Sequence, residues 1–418
     1  MCAVAVGVIC CLSTSEFTDC SPPLSSVFFE QRAAIKIHLD GVEAQMRMSA
    51  MMLLATLLVD SVAQPTNIEC TGIMAVRSST GSPKGPWSTP QLVYNPSAKN
   101  ATKEWYSVYG IDNPSLVILE NGTSLLTGRT CSGPEHPWIA RSDEWDGEYR
   151  SIDDSQPFTM NNVEDPFMWI DRRGNYHALH HWQNGDHNKY YNGGHSFSED
   201  GLRWTFSSTP AYAKNISWAS GGWSVMARRE RPSLVLDSEW RTPIALFTSV
   251  MEPGGFDSWL QSQPLRQEHA EHGHEAQGIQ GGGQCSNDAS CNLNGVCSSG
   301  GTCVCDPQWR GGDCGELAVE AAERDGGYHR PGYNGWGGNP FFSTDDHLFH
   351  VFAVEMTYAC RIGNFHTNSQ IVHATSETAA GQYRLAPIQG GQLTNASAVH
   401  AGLLPAPNST VLHVPFAH

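Results

Sequence analysis

Three segments of the sequence place a carboxylate at the same point of a repeated pattern. Each has an acid, any residue and a proline ahead of an apolar strand: Asp112-Asn113-Pro114, Glu164-Asp165-Pro166 and Glu230-Arg231-Pro232. Because the pattern recurs at the head of successive strand pairs, it predicts that these carboxylates converge. Glycosidic cleavage requires such a group, since one carboxyl protonates the leaving oxygen while another activates water or attacks carbon. The pattern therefore predicts a carbohydrate site.

A second pattern alternates with the first and combines an apolar residue near a Ser, a polar stretch and Gly-x-aromatic. Its copies are 75–87, 140–149, 196–204 and 374–383. One repeat then holds about four strands, which is the unit of a β-propeller blade. A chain of 418 residues with 41 Gly and 24 Pro also suits a loop-rich protein. We predict an all-β fold with a carbohydrate site at the centre of a β-propeller.

The pattern begins and ends inside a blade. Residues 70–76 resemble the later strands of a blade, 337–355 form a fourth copy of the first pattern, and 411–418 resemble the opening of another blade. Two alternatives follow: a five-bladed, circularly permuted ring, or an incomplete piece of a tandem-propeller chain. The fragment alternative is favoured, because a permuted ring would lack part of the shared blade's inner strands.

Six cysteines form one small unit with the spacing C-x5-C-x5-C-x5-C-x-C-x8-C. This spacing resembles that of the short EGF-like domain, although spacing alone permits fifteen connectivities. The resemblance implies the pairs Cys285–Cys297, Cys291–Cys303 and Cys305–Cys314. No histidine lies among the six, which disfavours a zinc knuckle. The stretch 280–284 lacks the acids of calcium-binding versions, so no calcium is predicted.

Secretion is predicted from several features together. Residues 46–63 have a basic flank, an apolar stretch and a small-residue cleavage site, as in a signal peptide. Five sequons would then be glycosylation sites: Asn100, Asn121, Asn215, Asn395 and Asn408. The net charge of −17 disfavours a nucleic-acid partner. No segment is long and apolar enough to span a membrane.

The predicted organisation has five parts. They are an N-terminal extension (1–63), propeller blades (64–255), a polar linker (256–284), the EGF-like unit (285–315) and further, truncated blade structure (327–418). Histidines 269, 272 and 274 lie in the linker, to which we assign no metal. Cys70 and Cys131 could join adjacent blades, which would leave Cys360 without an obvious partner. No cofactor is predicted.

Residues 67–250 and 327–418 resemble the five-bladed propeller of glycoside hydrolases in the superfamily of families 43 and 32. The resemblance rests on the proline motifs at the blade heads, including Asn339-Pro340. It implies that inner strands aim carboxylates at a central pocket. The candidate general acid is Glu164 with Asp112 as its partner, and Asp165 and Glu230 lie nearby.

Arginines beside the third motif, Arg228, Arg229 and Arg231, are expected to hold these charges or to bind sugar hydroxyls. The predicted substrate-binding residues are Arg229, Arg231, His181, Trp182 and Asn339. His177 is expected to pack inside its blade. Asn113 and Asn339 depart from the resembling family, because an amide cannot act as a base. Two functions therefore stay open: a hydrolase acting on an extracellular polysaccharide, and a non-catalytic protein that binds a polysaccharide or glycoprotein glycan and uses the EGF-like unit as a spacer.

Overall fold

The computed structural model describes residues 4–9, 72–78, 88, 91–94, 111–130, 137–152, 162–183, 191–267, 279–356, 361–362, 369–386, 402–406 and 409–413. Several predictions fall outside these residues: the signal peptide, Cys70, Cys131, Cys360, the linker histidines, and the sequons at 100, 395 and 408. Asn121 and Asn215 are exposed. No helix in the described ranges could cross a membrane.

The chain forms strands in the following order. Three strands come first: β1 (Val4–Ile9), β2 (Gly72–Arg77) and β3 (Gln91–Tyr94). Blade 1 contains β4 (Ile111–Ile118), β5 (Ser124–Thr130), β6 (Pro137–Ser142) and β7 (Arg150–Ser151). Blade 2 contains β8 (Val163–Ile170), β9 (Tyr176–Trp182), β10 (Tyr191–Ser198) and β11 (Thr205–Phe206), and β12 (Tyr212–Ala213) also pairs with β10. A hairpin of β13 (Asn215–Ser217) and β14 (Trp223–Val225) leads to blade 3.

Blade 3 begins with β15 (Arg228–Leu236), β16 (Pro243–Met251) and β17 (Ser258–Pro264). The disulfide-rich unit follows, with β18 (Ile279–Gln284), a 3-10 helix (Asp288–Cys291), β19 (Gly295–Cys297), β20 (Thr302–Cys305), β21 (Trp309–Arg310) and β22 (Glu316–Leu317). Strand β23 (Gly327–Tyr328) then completes blade 3. Blade 4 contains β24 (Asn334–Ser343), β25 (Leu348–Met356), β26 (Ser369–Ser376) and β27 (Arg384–Leu385). The last strands are β28 (Gly402–Ala406) and β29 (Ser409–His413).

The fifth blade joins strands from both ends of the sequence. Its order is β28-β29-β1-β2-β3, in which β1 pairs antiparallel with β2 and parallel with β29. The inner strands β4, β8, β15, β24 and β28 contact one another in a closed cycle. Strands from the two ends of the described sequence thus share one sheet of the propeller. The all-β propeller predicted from the sequence is confirmed.

The blades pack face to face through buried apolar side chains. The interior between blades 1 and 2 includes Leu116, Leu126, Phe167 and Leu179, which are at most 2% exposed. These residues alternate with residues that face the opposite side of each strand, as a strand buried on both faces requires. Each inner strand therefore has a fixed register, which sets where its first residues meet the propeller axis.

The disulfide-rich unit has the three disulfides that the EGF-like resemblance implied: Cys285–Cys297, Cys291–Cys303 and Cys305–Cys314. The unit is inserted between the third and fourth strands of blade 3, so that β17 and β18 occupy parts of the predicted linker. It also docks on blade 2. Arg173 binds Asp306 at 2.6 Å, and Thr209 donates a hydrogen bond to Asp313 at 2.7 Å. The ion pair and the hydrogen bond thus hold the disulfide-rich unit against blade 2 of the propeller.

A chain of hydrogen bonds crosses this interface. Because a carboxylate only accepts, His177 Nε2 donates to Asp171 at 3.4 Å, and its Nδ1 then accepts from His195 Nε2 at 3.2 Å. Asn294 of the disulfide-rich unit reaches His195 Nδ1 at 3.5 Å. His177 is 1% exposed and stacks on Trp169. It therefore packs inside blade 2, as its sequence position indicated.

Removing the Cys291–Cys303 disulfide is expected to destabilise the disulfide-rich unit by about 3 kcal/mol, since the bond closes a short loop in a unit with little apolar core. Both sulfurs are fully buried, and 12 residues separate the two positions. Hydrogen exchange within 285–314 of the Cys291→Ala/Cys303→Ala variant should accelerate, whereas the exposed control Ser286→Ala should leave it unchanged. Equal protection in parent and variant would refute the expectation.

Candidate functional site

Four inner strands carry a β-bulge at their axial ends. The strand register shifts between Asp112 and Ser115, Glu164 and Phe167, Glu230 and Ser233, and Gly335 and Gly338. The bulges contain positive φ angles at Asn113 (53°), Asp165 (53°), Arg231 (57°) and Gly337 (86°). A bulge interrupts the alternation of a strand. This is why Glu164 and Asp165, although adjacent in sequence, both approach His181.

The equivalent bulge residues of blades 1, 2 and 3 meet at Asp165. Asn113 Nδ2 donates a hydrogen bond to Asp165 Oδ1. Arg231 Nη1 lies 2.7 Å from the same oxygen. Asp165 Oδ2 is buried and has no hydrogen-bond partner among the described residues. The three motifs predicted from the sequence thus converge, but through an amide, a carboxyl and a guanidinium.

A second set of side chains surrounds this group. His181 Nδ1 donates to Glu164 Oε1 at 2.8 Å, and Arg129 Nε lies 3.3 Å from Glu164 Oε2. Arg228 binds both oxygens of Glu230 at 2.7 Å. We call Glu164, Asp165, Glu230 and His181 the carboxylate cluster. Each of its carboxylates has an arginine partner.

Burial and neighbouring charges move the two adjacent acids in opposite directions. Burial alone would raise the pKa of Glu164, but the hydrogen bond from His181 and the charges of Arg129 and Arg231 hold it well below its usual range. Burial raises the pKa of Asp165 to about 7, with Arg231 opposing the shift and the charge of Glu164 adding to it. Glu164 is therefore ionised, while Asp165 retains a proton into the neutral range.

His181 is placed between the acids of two blades. Burial by itself lowers its pKa, but the hydrogen bond to Glu164 and the charges of Glu230, Glu164 and Asp165 raise it above its ordinary value. The imidazole therefore carries positive charge at a pH at which most histidines are neutral. It links Glu164 of blade 2 electrostatically to Glu230 of blade 3.

The lowered pKa of Glu164 argues against its predicted role as general acid, because a proton donor must first carry a proton. Asp165, which is 6% exposed and has the raised pKa, is the better proton holder. Asp112, the predicted partner, pairs its backbone with Arg129 at the head of β4. Its side chain lies outside the described part of the structure.

Three predicted substrate-binding residues lie apart from the carboxylate cluster. Arg229 is 1% exposed and donates to the carbonyl oxygens of Ala213 and Asn215. Its side chain faces the opposite side of β15 from those of Arg228 and Glu230, because successive side chains of a strand alternate between its two faces. The side chain of Trp182 likewise faces the opposite side of β9 from that of His181. It packs edge-on against Phe206, with the ring centroids 5.1 Å apart.

Asn339 was expected at the head of blade 4, but it lies farther along β24, beyond the bulge. It pairs with Phe352 in regular β-structure. The bulge of blade 4 lies earlier, at Trp336-Gly337, and the Asn-Pro sequence that suggested the blade head is therefore out of register with the other three.

Sequence reasoning missed Arg129 and Trp336. Arg129 lies opposite Asp112 in the β4–β5 hairpin, but counting back from the turn at Asn121-Gly122 would have paired Asp112 with Thr130, because the bulge shifts the register by one residue. Trp336 lies under the guanidinium of Arg228, 4.7 Å from its ring centroid. No sequence signal distinguished it, because the proline motif pointed to the wrong residues of its strand.

Glu164, Asp165 and His181 place ligand atoms within 4.8 Å of one another, which a metal ion could bridge. Arg129 and Arg231 already place positive charge beside both carboxylates. A cation there would be repelled by these guanidinium groups and by a charged His181. We therefore assign no metal to the carboxylate cluster.

No family model matches the chain, and no curated protein matches it. Solved structures that it resembles include glycoside hydrolases. They include a thermostable family-43 glycoside hydrolase (TM-score 0.44, 10% identity, covering 81% of this chain and 89% of that one) and RS223-β-xylosidase (0.43, 11%, 78% and 88%). An endo-arabinase from Bacteroides thetaiotaomicron is also similar (0.39, 12%, 73% and 93%).

Asp165 should make the stability of the protein depend on pH. Its folded pKa of about 7 exceeds the unfolded value of roughly 4. A group with a raised folded pKa stabilises fully below its unfolded pKa, and this contribution is lost as the pH rises through the folded value. The unfolding free energy of the parent, relative to Asp165→Asn, should therefore fall by roughly 2–4 kcal/mol from pH 4 to pH 8. Urea unfolding measures this difference in unfolding free energy at each pH. A difference between the two proteins that stays constant from pH 4 to pH 8 would contradict the assignment of the raised pKa to Asp165.

Proposed function

We propose that the protein is a secreted glycoside hydrolase that binds an extracellular polysaccharide at the axial face of its propeller and cleaves it at the carboxylate cluster. The observation that carries the proposal is that the pKa values of Glu164 and Asp165 are shifted in opposite directions, so that Glu164 is ionised while Asp165 holds a proton. Neighbouring groups whose environments separate their pKa values provide an acid and a base at one pH. Glycosidic cleavage requires both.

The side chains around these acids support the same chemistry. Arg231 and Asn113 hold Asp165 in place, and His181 orients Glu164. Arg228 is 42% exposed at its side chain and stacks on Trp336 beside Glu230. Solvent therefore reaches the cluster from the side of Arg228, whose guanidinium is suited to sugar hydroxyls.

A second function, glycan binding without turnover, is favoured by Asn113. This amide accepts from Arg129 at 2.8 Å and donates to Asp165. A carboxylate could not donate in its place, so the network of blade 1 is built for a residue that cannot act as a base. In this alternative the cluster is a fixed ion-pair network, and the polysaccharide is held but not cleaved.

The deciding experiment incubates the purified chain with a panel of polysaccharides and measures both reducing-end release and retention in polysaccharide-containing gels. The matched variant is Glu164→Gln/Asp165→Asn, which keeps the side-chain shapes and removes both ionisable carboxyls. Release by the parent alone supports hydrolysis. Retention of both proteins with no release from any panel member identifies a glycan-binding protein and overturns the hydrolase.

A further inference from the structure

The hairpin between blades 2 and 3 exposes apolar side chains on one of its two faces. Its strands pair Asn215 with Val225 and Ser217 with Trp223. Residues directly opposite each other in an antiparallel pair lie on the same face, so these four side chains share one side of the hairpin. Trp223 is 68% exposed and Val225 is 46% exposed. Single exposed apolar residues are common, but two neighbours on one face form a patch that a bound group can cover.

The hairpin has a fixed register, because its other face is buried. Ile216, Trp218 and Met226 pack on that side and are at most 4% exposed. A slip of one residue would expose these side chains. The turn closes through Gly222, whose φ of 78° favours glycine and whose carbonyl oxygen accepts a hydrogen bond from the backbone N–H of Trp218 at 3.0 Å. The four side chains of the exposed face are therefore held together.

The exposed face also carries a glycosylation sequon. Asn215-Ile216-Ser217 has the form Asn-x-Ser, which is glycosylated in secreted proteins. Asn215 and Ser217 are both exposed. Asn215 lies directly opposite Val225 and diagonally from Trp223, and such neighbours have Cβ atoms about 5 Å and about 7 Å apart. A sugar joined to Asn215 Nδ2 would start beside both apolar side chains.

We infer that Asn215 carries an N-linked glycan whose first N-acetylglucosamine packs on Trp223 and Val225. This inference goes beyond the proposed function and depends on the secretion proposed there, not on hydrolysis. The C–H groups of the sugar ring suit the apolar surface of an indole, while its hydroxyl and acetamide groups remain in water. The glycan removes exposed apolar surface from water and leaves a hydrophilic surface on the hairpin.

The sequon at Asn121 provides a matched control. Asn121 lies in the β4–β5 turn, where its Oδ1 accepts a hydrogen bond from the backbone N–H of Thr123 at 3.0 Å. Among residues 113–129, no large apolar side chain is exposed. A glycan at Asn121 therefore has no apolar patch on its own hairpin, whereas one at Asn215 does.

The test expresses the full chain in secreting eukaryotic cells and maps its glycans by mass spectrometry. Enzymatic trimming to a single N-acetylglucosamine isolates the first sugar, and hydrogen exchange within 215–225 is compared between the trimmed parent and Asn215→Gln. The same comparison is made with Trp223→Ser, whose exposed position makes it tolerable to the fold. The sugar should slow exchange about three- to tenfold when Trp223 is present and have little effect in Trp223→Ser, as expected for one aromatic contact. Asn121→Gln should leave exchange within 215–225 unchanged.

An unmodified Asn215 would overturn the inference, and glycosylation of Asn121 in the same chain would then leave the proposed secretion standing. Equal slowing of exchange by the sugar with and without Trp223 would show that the glycan does not pack on the indole. Protection of the glycosylated hairpin by an added polysaccharide would assign the face to substrate, and Trp223-dependent dimerisation would assign it to a second copy of the chain. Either result would overturn the inference. None of these outcomes depends on polysaccharide cleavage, so failure of the proposed hydrolase would be seen separately.

Discussion

Replacing Glu164 by Gln is expected to lower kcat/KM for polysaccharide cleavage roughly 10²–10⁴-fold, the range typical of a lost acid–base group. Gln keeps the length of the side chain, and its single amide oxygen can accept from either His181 or Arg129, which bind different oxygens of Glu164, so one of these two contacts is kept. It cannot carry the negative charge that the lowered pKa of Glu164 maintains. Reducing-end release and gel retention, measured together, separate lost turnover from lost binding.

Glu316→Gln is the matched control for this substitution. Glu316 lies in the disulfide-rich unit, where its ion pair with Arg310 is about half exposed. Exposed pairs of this kind contribute little to stability. Turnover by the control should equal that of the parent. Full activity of Glu164→Gln would remove Glu164 from the chemistry.

Replacing Arg231 by Met is expected to destabilise the fold by roughly 3–5 kcal/mol, the cost of leaving a buried charge without its partner. Arg231 has 14% side-chain exposure and lies 2.7 Å from Asp165. Met occupies the same positive-φ position with equal strain, so the charge is the main change. Loss of the guanidinium should also raise the pKa of Asp165 further, because Arg231 is the strongest group opposing its rise. Urea unfolding at about pH 9, where Asp165 of the parent is ionised and paired with Arg231, measures the effect.

Two comparisons isolate this contribution. Arg203→Met removes a guanidinium that is 91% exposed and should change the unfolding free energy by no more than about 1 kcal/mol. Asp165→Asn/Arg231→Met removes both partners and should recover part of the loss, because no buried charge is then left alone. Equal stability of Arg231→Met and the parent would show that the ion pair is not important for the fold.

The convergence of three blade heads could be predicted from the sequence because it depends on local pattern. The proline after each acid marks the bulge, and the spacing of the patterns places each bulge at the same end of its blade. Glu164, Asp165, Glu230, His181 and Arg231 therefore come together in the structure. The three disulfide pairs were implied by the EGF-like resemblance, whereas the spacing of the cysteines alone left fifteen connectivities open.

The side of the strand on which an individual side chain lies was harder to predict from the sequence than the convergence of the blade heads. Arg229 and Trp182 are adjacent to cluster residues, but regular alternation turns them to the other side of their strands. In blade 4 the bulge precedes the Asn339-Pro340 sequence, so the motif alone gave the wrong residue. The protonation of Glu164 and Asp165 depends on Arg129, Arg231 and burial, which are properties of the assembled ring rather than of any one motif.

The pH dependence of kcat/KM for polysaccharide cleavage, compared between the parent and Asp165→Asn, tests the central claim most directly. Since cleavage requires ionised Glu164 and protonated Asp165, the activity of the parent should fall as the pH rises through about 7. Asp165→Asn should be slow and should lose this alkaline limb. An unchanged profile in the variant would contradict the assignment of the proton to Asp165, and with it the account of the carboxylate cluster as a hydrolytic site.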